Sequence, residues 1–449
     1  MTIISKPVRV EHPAITAAKQ RVGAVAPQPV SLEQLRAWAL EAGADDVGVV
    51  ELVHPDLAEE RAPVLRAFPS AVSLISLVVR MHPENVRSPA RSVANHEFHH
   101  AGEAVDDCAR ALVARLAAAG HRAMNPAMAF PMEMDDFPGR TWVVSHKRVA
   151  VAAQLGRMGL HRNVIHPRFG SFIVLGTVLT SARIEERLPR LAYDPCVDCK
   201  LCVAACPVGA IEPDGAFRFS ACLDHNYREF MTGFGDVLED VVESRDKHEL
   251  RERLTISESA SMWQSLTYKA NYKAAHCVAV CPAGDDVLGP FVADRPKFLS
   301  EVVRPLTERS EPVYVVPGSD AETHVRKRFP HKPVRLVRSS LRATTAPGFF
   351  RALPLVFQRG PAKGWRATFH FELTDTSTHR ATVRIDDGTL TITTSTLEGL
   401  ADVTIRGEAR AWLDVVTGKR NPVWLVVRGK LRIAGDRALL DRFARCFPR

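Results

Sequence analysis

The sequence predicts an α+β protein of several domains, and three observations carry that prediction. At 449 residues the chain exceeds what one hydrophobic core usually organises. Seven of its nine cysteines fall between positions 196 and 281, so a metal-binding block sits inside the chain. After about residue 345 the mixed helix and strand signals give way to alternating apolar and polar residues, a separate C-terminal unit.

Residues 1–29, with Pro27 and Pro29, read as an irregular arm without the apolar stretch of a secretory signal. Ser31 then caps a helix, with Gln34 three residues on and Gly43 as its stop. "DDVGVV", "AVSLISLVVR" and "SFIVLGTVLTS" read as buried strands, each too short to span a bilayer. "GEAVDDCARALVARLAAAG" is an amphipathic helix that ends at Gly120. Residues 30–190 thus form an α/β or α+β cofactor-binding core. The cysteine-rich block occupies 191–295, with a charged helical insertion at 236–260, and a Pro- and Arg-rich connector follows at 304–345. In 346–449, "ATFHFELTD" and "ATVRIDDGTLTIT" give hairpins with an Asp387-Gly388 turn, and two helices flank the strand "GKLRIAG".

The net charge of +8 is spread along the chain instead of gathered in runs, so it reads as a solvated basic surface with no nucleic-acid partner. Clustered cysteines in a large chain without a signal point to metal and a reducing cytoplasm.

The strongest motif is "PCVDCKLCVAACPVGAI", C-x2-C-x2-C-x3-C-P, with Cys196, Cys199, Cys202 and Cys206. Its tight turns let three thiolates grip one cubane while the fourth ligates another cluster. Structural zinc needs only four ligands and rarely uses this run followed by proline. "YKANYKAAHCVAVCPAG" repeats the ending with Cys277 and Cys281, but Ala274 stands where a ligand is due. By the crossover rule Cys281 completes the first [4Fe–4S] cluster with Cys196, Cys199 and Cys202. The second takes Cys206, Cys277 and Cys222 from "FSACLDHNY". It is therefore [3Fe–4S], or [4Fe–4S] with a non-cysteine corner, and His225 and His276 stand nearby as candidate ligands.

"SHKRVAVAAQLGRMGLHRNVIHPRFGSFIVLGTVLTS" followed by this block resembles the epoxyqueuosine reductases and the related reductive dehalogenases. The marks are Gly156, Gly159, His161, Asn163, His166-Pro167, Gly170 and Ser171. The resemblance covers about residues 30–290 and implies a cobalamin-reductase-like core, a base-off cobalamin, and two clusters that feed it electrons. Arg157, Met158, Gly159, His161, Asn163, Gly170 and Ser171 are then the cofactor-binding residues, and a ferredoxin- or flavodoxin-type protein is the electron donor. The plain alternative for the glycines is turns that close helix onto strand. Where the reductases carry an acidic proton donor, "FPGRTWVVSHK" has no carboxylate; Asp135 and Asp136, with Glu133 beside them, are the nearest substitutes. The dehalogenases use a tyrosine, and no tyrosine lies in that segment. His96 and His100 of "NHEFHH" stand one helical turn apart, but no second ligand group accompanies them, so they read as a polar helix start.

"ADVTIRGEARAWLDVVTGKRNPVWLVVRGKLRIAGDRALLDRF" resembles the sterol-carrier-protein-type lipid-binding domain, also built from α and β elements. Trp412, Leu413, Val416, Trp424, Leu425, Leu440 and Phe443 are then tunnel wall, or simply packed core. Together these signs predict a cytoplasmic iron–sulfur oxidoreductase that passes low-potential electrons to cobalamin and reduces a small or hydrophobic substrate. The alternatives are an electron-transfer protein without a corrinoid, or a corrinoid or lipid carrier with structural clusters. With a lipid-type tail in place of an RNA-binding platform, no epoxyqueuosine reductase activity is expected.

Overall fold

The apolar runs of the first half become the central strands of one sheet. In the computed structural model, which describes residues 12–21, 27–135 and 137–448, these are β1 (Asp46–Glu51), β2 (Ser73–Arg80) and β3 (Ala123–Met124). A small ladder, β4 (Arg157–Met158) with β5 (Val164–Ile165), precedes β6 (Ile173–Thr180). The sheet runs β1-β2-β6-β3 with every pair antiparallel, so the core is layered α+β and not a parallel α/β unit. β2 and β6 carry near-continuous apolar runs because both faces are covered. Leu32–Glu41 and Arg91–Ala118 cover one face, where Leu77 and Val105 are fully buried; His146–Ala152 covers the other, beside Leu74 and Val149. Each fully buried aliphatic chain there contributes about 1.5–3 kcal/mol. Gly176 on β6 lets the long helix approach: a Cβ at that position would sit 2.8 Å from Val105 Cγ2. Ser31 caps the first helix as expected, its Oγ accepting from Gln34 N at 3.1 Å.

Three boundaries differ from the expectation. The arm carries a helix, Pro13–Arg21, and its other residues before Pro27, except His12, lie outside the described residues. Position 190 divides no core, because Leu201, Ala205, Val278, Ala279, Val280, Phe298 and Leu306 pack into the same cluster as Leu35, Leu77 and Leu112. Nor is 304–345 a plain connector. β7 (Val313–Val315) and β8 (Val334–Leu336) form a parallel pair around helix Asp320–Arg328. Val313, Val315, Ala321 and Val325 pack on Cys202, Cys206, Val208 and Ile211. Apolar residues at short strand spacing were hidden there among prolines and arginines.

The insertion forms helices Gly233–Glu243, Lys247–Arg253 and Ile256–Tyr268. Its acids meet the connector's cations: Arg335 pairs with Glu258, Arg338 with Asp240 and Glu243, and Arg342 with Asp236 and Glu239.

The C-terminal unit holds β9 (Arg366–Thr374), β10 (Thr378–Asp386), β11 (Thr389–Thr394), β12 (Val403–Glu408) and β13 (Leu431–Gly435), ordered β11-β10-β9-β12-β13. β12 runs parallel to β9 and the other pairs are antiparallel. Asp387 and Gly388, at φ 41° and 83°, make the two-residue hairpin turn. Helices Ala346–Val356, Ala409–Val416 and Arg437–Arg445 close the core over Phe369, Phe371, Trp412 and Phe443.

Candidate iron–sulfur and substrate site

The first cysteine run is wound tightly by local bonds. Asp194 Oδ1 accepts from Cys196 N at 2.9 Å, and Asp198 and Lys200 both take left-handed backbone angles. The short helix Leu201–Ala205 then carries Cys202 inward. Cys281 arrives from the second run, and Cys196, Cys199, Cys202 and Cys281 line one cavity with Leu160, His161 and Ile165. Among the described residues no three His, Cys, Asp or Glu side chains are grouped to hold a single metal ion. Thiols spread around a void match the wide corners of a cubane better than the tight tetrahedron of zinc.

Two glycines join this cavity to the core. A Cβ on Gly170 would lie 1.8 Å from Ala283 O, and one on Gly284 would lie 2.3 Å from Gly170 N, so only bare backbones pass there. Ser171, buried beside them, donates to Val278 O at 3.1 Å.

The remaining three thiols form a second group. Cys206 Sγ accepts from Ala210 N at 3.2 Å, and Cys206, Cys222 and Cys277 pack together under the connector. Burial, then the neighbouring Cys206, pushes the Cys222 thiol up to about 12 in the metal-free chain. Ala274 is buried, its N–H donating to Asn226 Oδ1 at 2.8 Å. The two histidines face the connector: His225 Nδ1 accepts from Tyr314 N at 3.3 Å, and His276 Nε2 lies 3.6 Å from Glu311. His225 Nε2 and both ring nitrogens of His276 are buried without a hydrogen-bond partner.

Beside this second group stand a lysine and an aromatic array that the sequence did not single out. Lys147 Nζ is solvent-accessible and donates to Arg162 O at 2.8 Å and Asn163 Oδ1 at 2.7 Å. Its pKa is nevertheless lowered by desolvation, with Cys277 and Cys222 close enough to oppose that shift. Tyr227 lies near the same thiols and packs on Tyr272: burial raises both phenols, and Cys222 acts on Tyr227 next. Their rings stand 5.6 Å apart edge to face, Phe230 lies 5.3 Å from each, and Phe98 and Phe130 extend the array at 5.4 Å. None of the five is fully buried, so they form a wall and not a core. The available signal was adjacency: Tyr227 follows Cys222 by five residues and Tyr272 precedes Cys277 by five.

The residues expected to bind a cofactor divide among these places. Asn163 accepts from Lys147 near the second thiol group. His161 lines the first cavity with its Nε2 buried and unpartnered. Arg157 donates to Leu191 O at 3.0 Å, and Met158, the other residue of β4, is half-buried. Gly156 and Gly159 press on Ile165, where added Cβ atoms would come within 2.4 and 2.5 Å, so they close the turn. Asp135 is exposed on its loop, and Asp136 lies outside the described residues. His96 and His100 meet at 3.0 Å on an exposed flank of their helix. A cavity of about 490 Å³ lies between insertion and connector, lined by ion-paired and apolar side chains and by none of the thiols.

The chain thus has the architecture of an iron–sulfur protein of mixed α and β elements with an added α/β tail. The 4Fe-4S binding domain profile matches residues 191–212, and that of the SCP-2 sterol transfer family matches 357–448. Among curated proteins the epoxyqueuosine reductase of Staphylococcus aureus is 37% identical over 83 residues, 18% of this chain and 21% of that enzyme. The one from Listeria monocytogenes is 33% identical over 101 residues, 20% and 26% respectively. The matched part is therefore about a quarter of those relatives or less. Among solved structures, epoxyqueuosine reductase from Streptococcus thermophilus overlays at a TM-score of 0.32 and 16% identity, covering 60% of this chain and 74% of that one. A reductive dehalogenase overlays at 0.32 and 17%, covering 40% and 25%.

An epoxyqueuosine reductase solved with an epoxyqueuosine-modified tRNA stem loop overlays at 0.29 and 18%, covering 43% and 56%. Because the curated sequence relatives are epoxyqueuosine reductases, the expectation of no nucleic-acid partner does not stand. Spread charge and a lipid-type tail say nothing about what the rest of the chain accepts.

Proposed function

We propose that the chain is an iron–sulfur reductase in which low-potential electrons pass through the Cys196/Cys199/Cys202/Cys281 cluster to the Cys206/Cys222/Cys277 cluster and on to a substrate beside it. What carries this is the grouping of three thiols with Lys147 and the Tyr227–Tyr272 pair close by. The donor set suits the clusters; a corrinoid bound beside the second one would supply the one-electron centre that meets substrate. Asn163 and Arg162 hold Lys147 in place, the aromatic wall limits water, and a tyrosine hydroxyl supplies the proton that Asp135 is too exposed to give.

Protein purified without oxygen should contain iron at near-stoichiometric cluster content and about one cobalt per chain. Iron without cobalt supports the electron-transfer reading instead. Tyr227→Phe or Tyr272→Phe should lower turnover about a hundredfold with the cluster spectra unchanged. The relatives bring RNA into the substrate class, so reduction of an epoxyqueuosine-modified tRNA stem loop is the first assay. Loss of substrate reduction by neither tyrosine variant returns the proton to the 133–136 loop.

A further inference from the structure

Trp424, expected in the interior of the tail, stands outside it. On helix Pro422–Val427 only Leu425 turns inward, 2% exposed, while Val423, Trp424, Val426 and Val427 remain 68, 38, 37 and 81% exposed. Water disfavours that much contiguous apolar surface on one short helix, so something covers it in use. The charge around it is one-sided. Lys419, Arg420, Arg428, Lys430 and Arg432 are all exposed, and no acidic residue occurs from 415 to 435. Among the described residues Arg420 pairs with Asp414 and Lys430 with Glu408, while Arg428 and Arg432 have no ion pair. β13, which follows, is the edge strand of the sheet, so the patch has no neighbour within the domain on that side.

We infer that this face docks on an anionic lipid surface. Valines and an indole suit the boundary between headgroups and acyl chains, and a collar of arginines and lysines suits the lipid charge. Single-stranded RNA fits less well. Valine has no ring for a base to stack on, and the Trp424 indole is already covered by Arg428 at 3.8 Å and Arg420 at 5.2 Å. No helix of the described residues is long and apolar enough to cross a membrane, so the contact is peripheral.

The test is flotation of the full-length holoprotein with phosphatidylcholine vesicles, with and without phosphatidylglycerol. The bound fraction should rise about tenfold with the anionic lipid and fall as salt is raised. It should return to the neutral-vesicle level in Val423→Asp/Val427→Asp, two exposed positions whose change leaves the core intact, and in Arg428→Glu/Arg432→Glu. Absence of anionic-lipid binding overturns the inference, as does binding that both double variants retain. Variants that keep vesicle binding but lose RNA or an acidic protein partner assign the face to that partner instead.

Discussion

Ala274 stands where the second cysteine run lacks a thiol. With its N–H tied to Asn226 and its side chain buried, it offers the proposed second cluster no ligand. We expect that cluster to lose its unliganded iron first on mild oxidation, giving a [3Fe–4S] signal by electron paramagnetic resonance while the other persists; Ala274→Cys should suppress the signal. The two cysteines outside the block behave differently. Cys446 is fully buried and its thiol is pushed up to about 12 by desolvation, and burial likewise raises Cys108. At pH 8 only about one Cys446 in ten thousand is thiolate. Iodoacetamide should leave both unlabelled in the native protein and label both in guanidine. The thiols were legible because ligand spacing is a local property of sequence. The aromatic array was not: Phe98, Tyr227 and Tyr272 are far apart in the chain and meet only through tertiary packing.

At the scale of elements, the strands and the capped helices followed from periodicity and turn chemistry, as at Ser31 and Asp387-Gly388. Sheet direction did not, since buried strands of either kind read as the same apolar run. The insertion was visible as charged helix, but its fastening to the 304–345 segment was not, because ion pairs across a hundred residues leave no local trace. The ion pairs there differ in burial. Arg228 and Asp236, a local pair beside the fastening, meet at 2.5 Å with both side chains nearly buried, whereas Arg338 of the 304–345 segment is about a third exposed. Arg228→Ala leaves a buried carboxylate with Arg342 as its other partner and should cost about 3 kcal/mol in urea unfolding. Arg338→Ala, screened by solvent, should cost about 1 kcal/mol or less.

For the molecule as a whole, two cores of different kinds follow from the packing. The tail core draws only on residues from 343 onward, and polar contacts such as Arg359 with Glu212 and Asp214 tie it to the rest. A fragment of residues 340–449 should therefore unfold cooperatively on its own, while residues 1–190 should not, as read by circular dichroism in urea. The larger core needs Val278–Val280 from the second cysteine run, and Leu306 beyond it, to cover helix Arg91–Ala118 and its sheet. On the ribosome, the first sheet is thus synthesised long before its last covering residues leave the exit tunnel. During that interval apolar surface of the sheet stays uncovered, and closing the Cys281 side of the first cluster belongs to a late stage of translation: Cys281 emerges seventy-nine residues after Cys202.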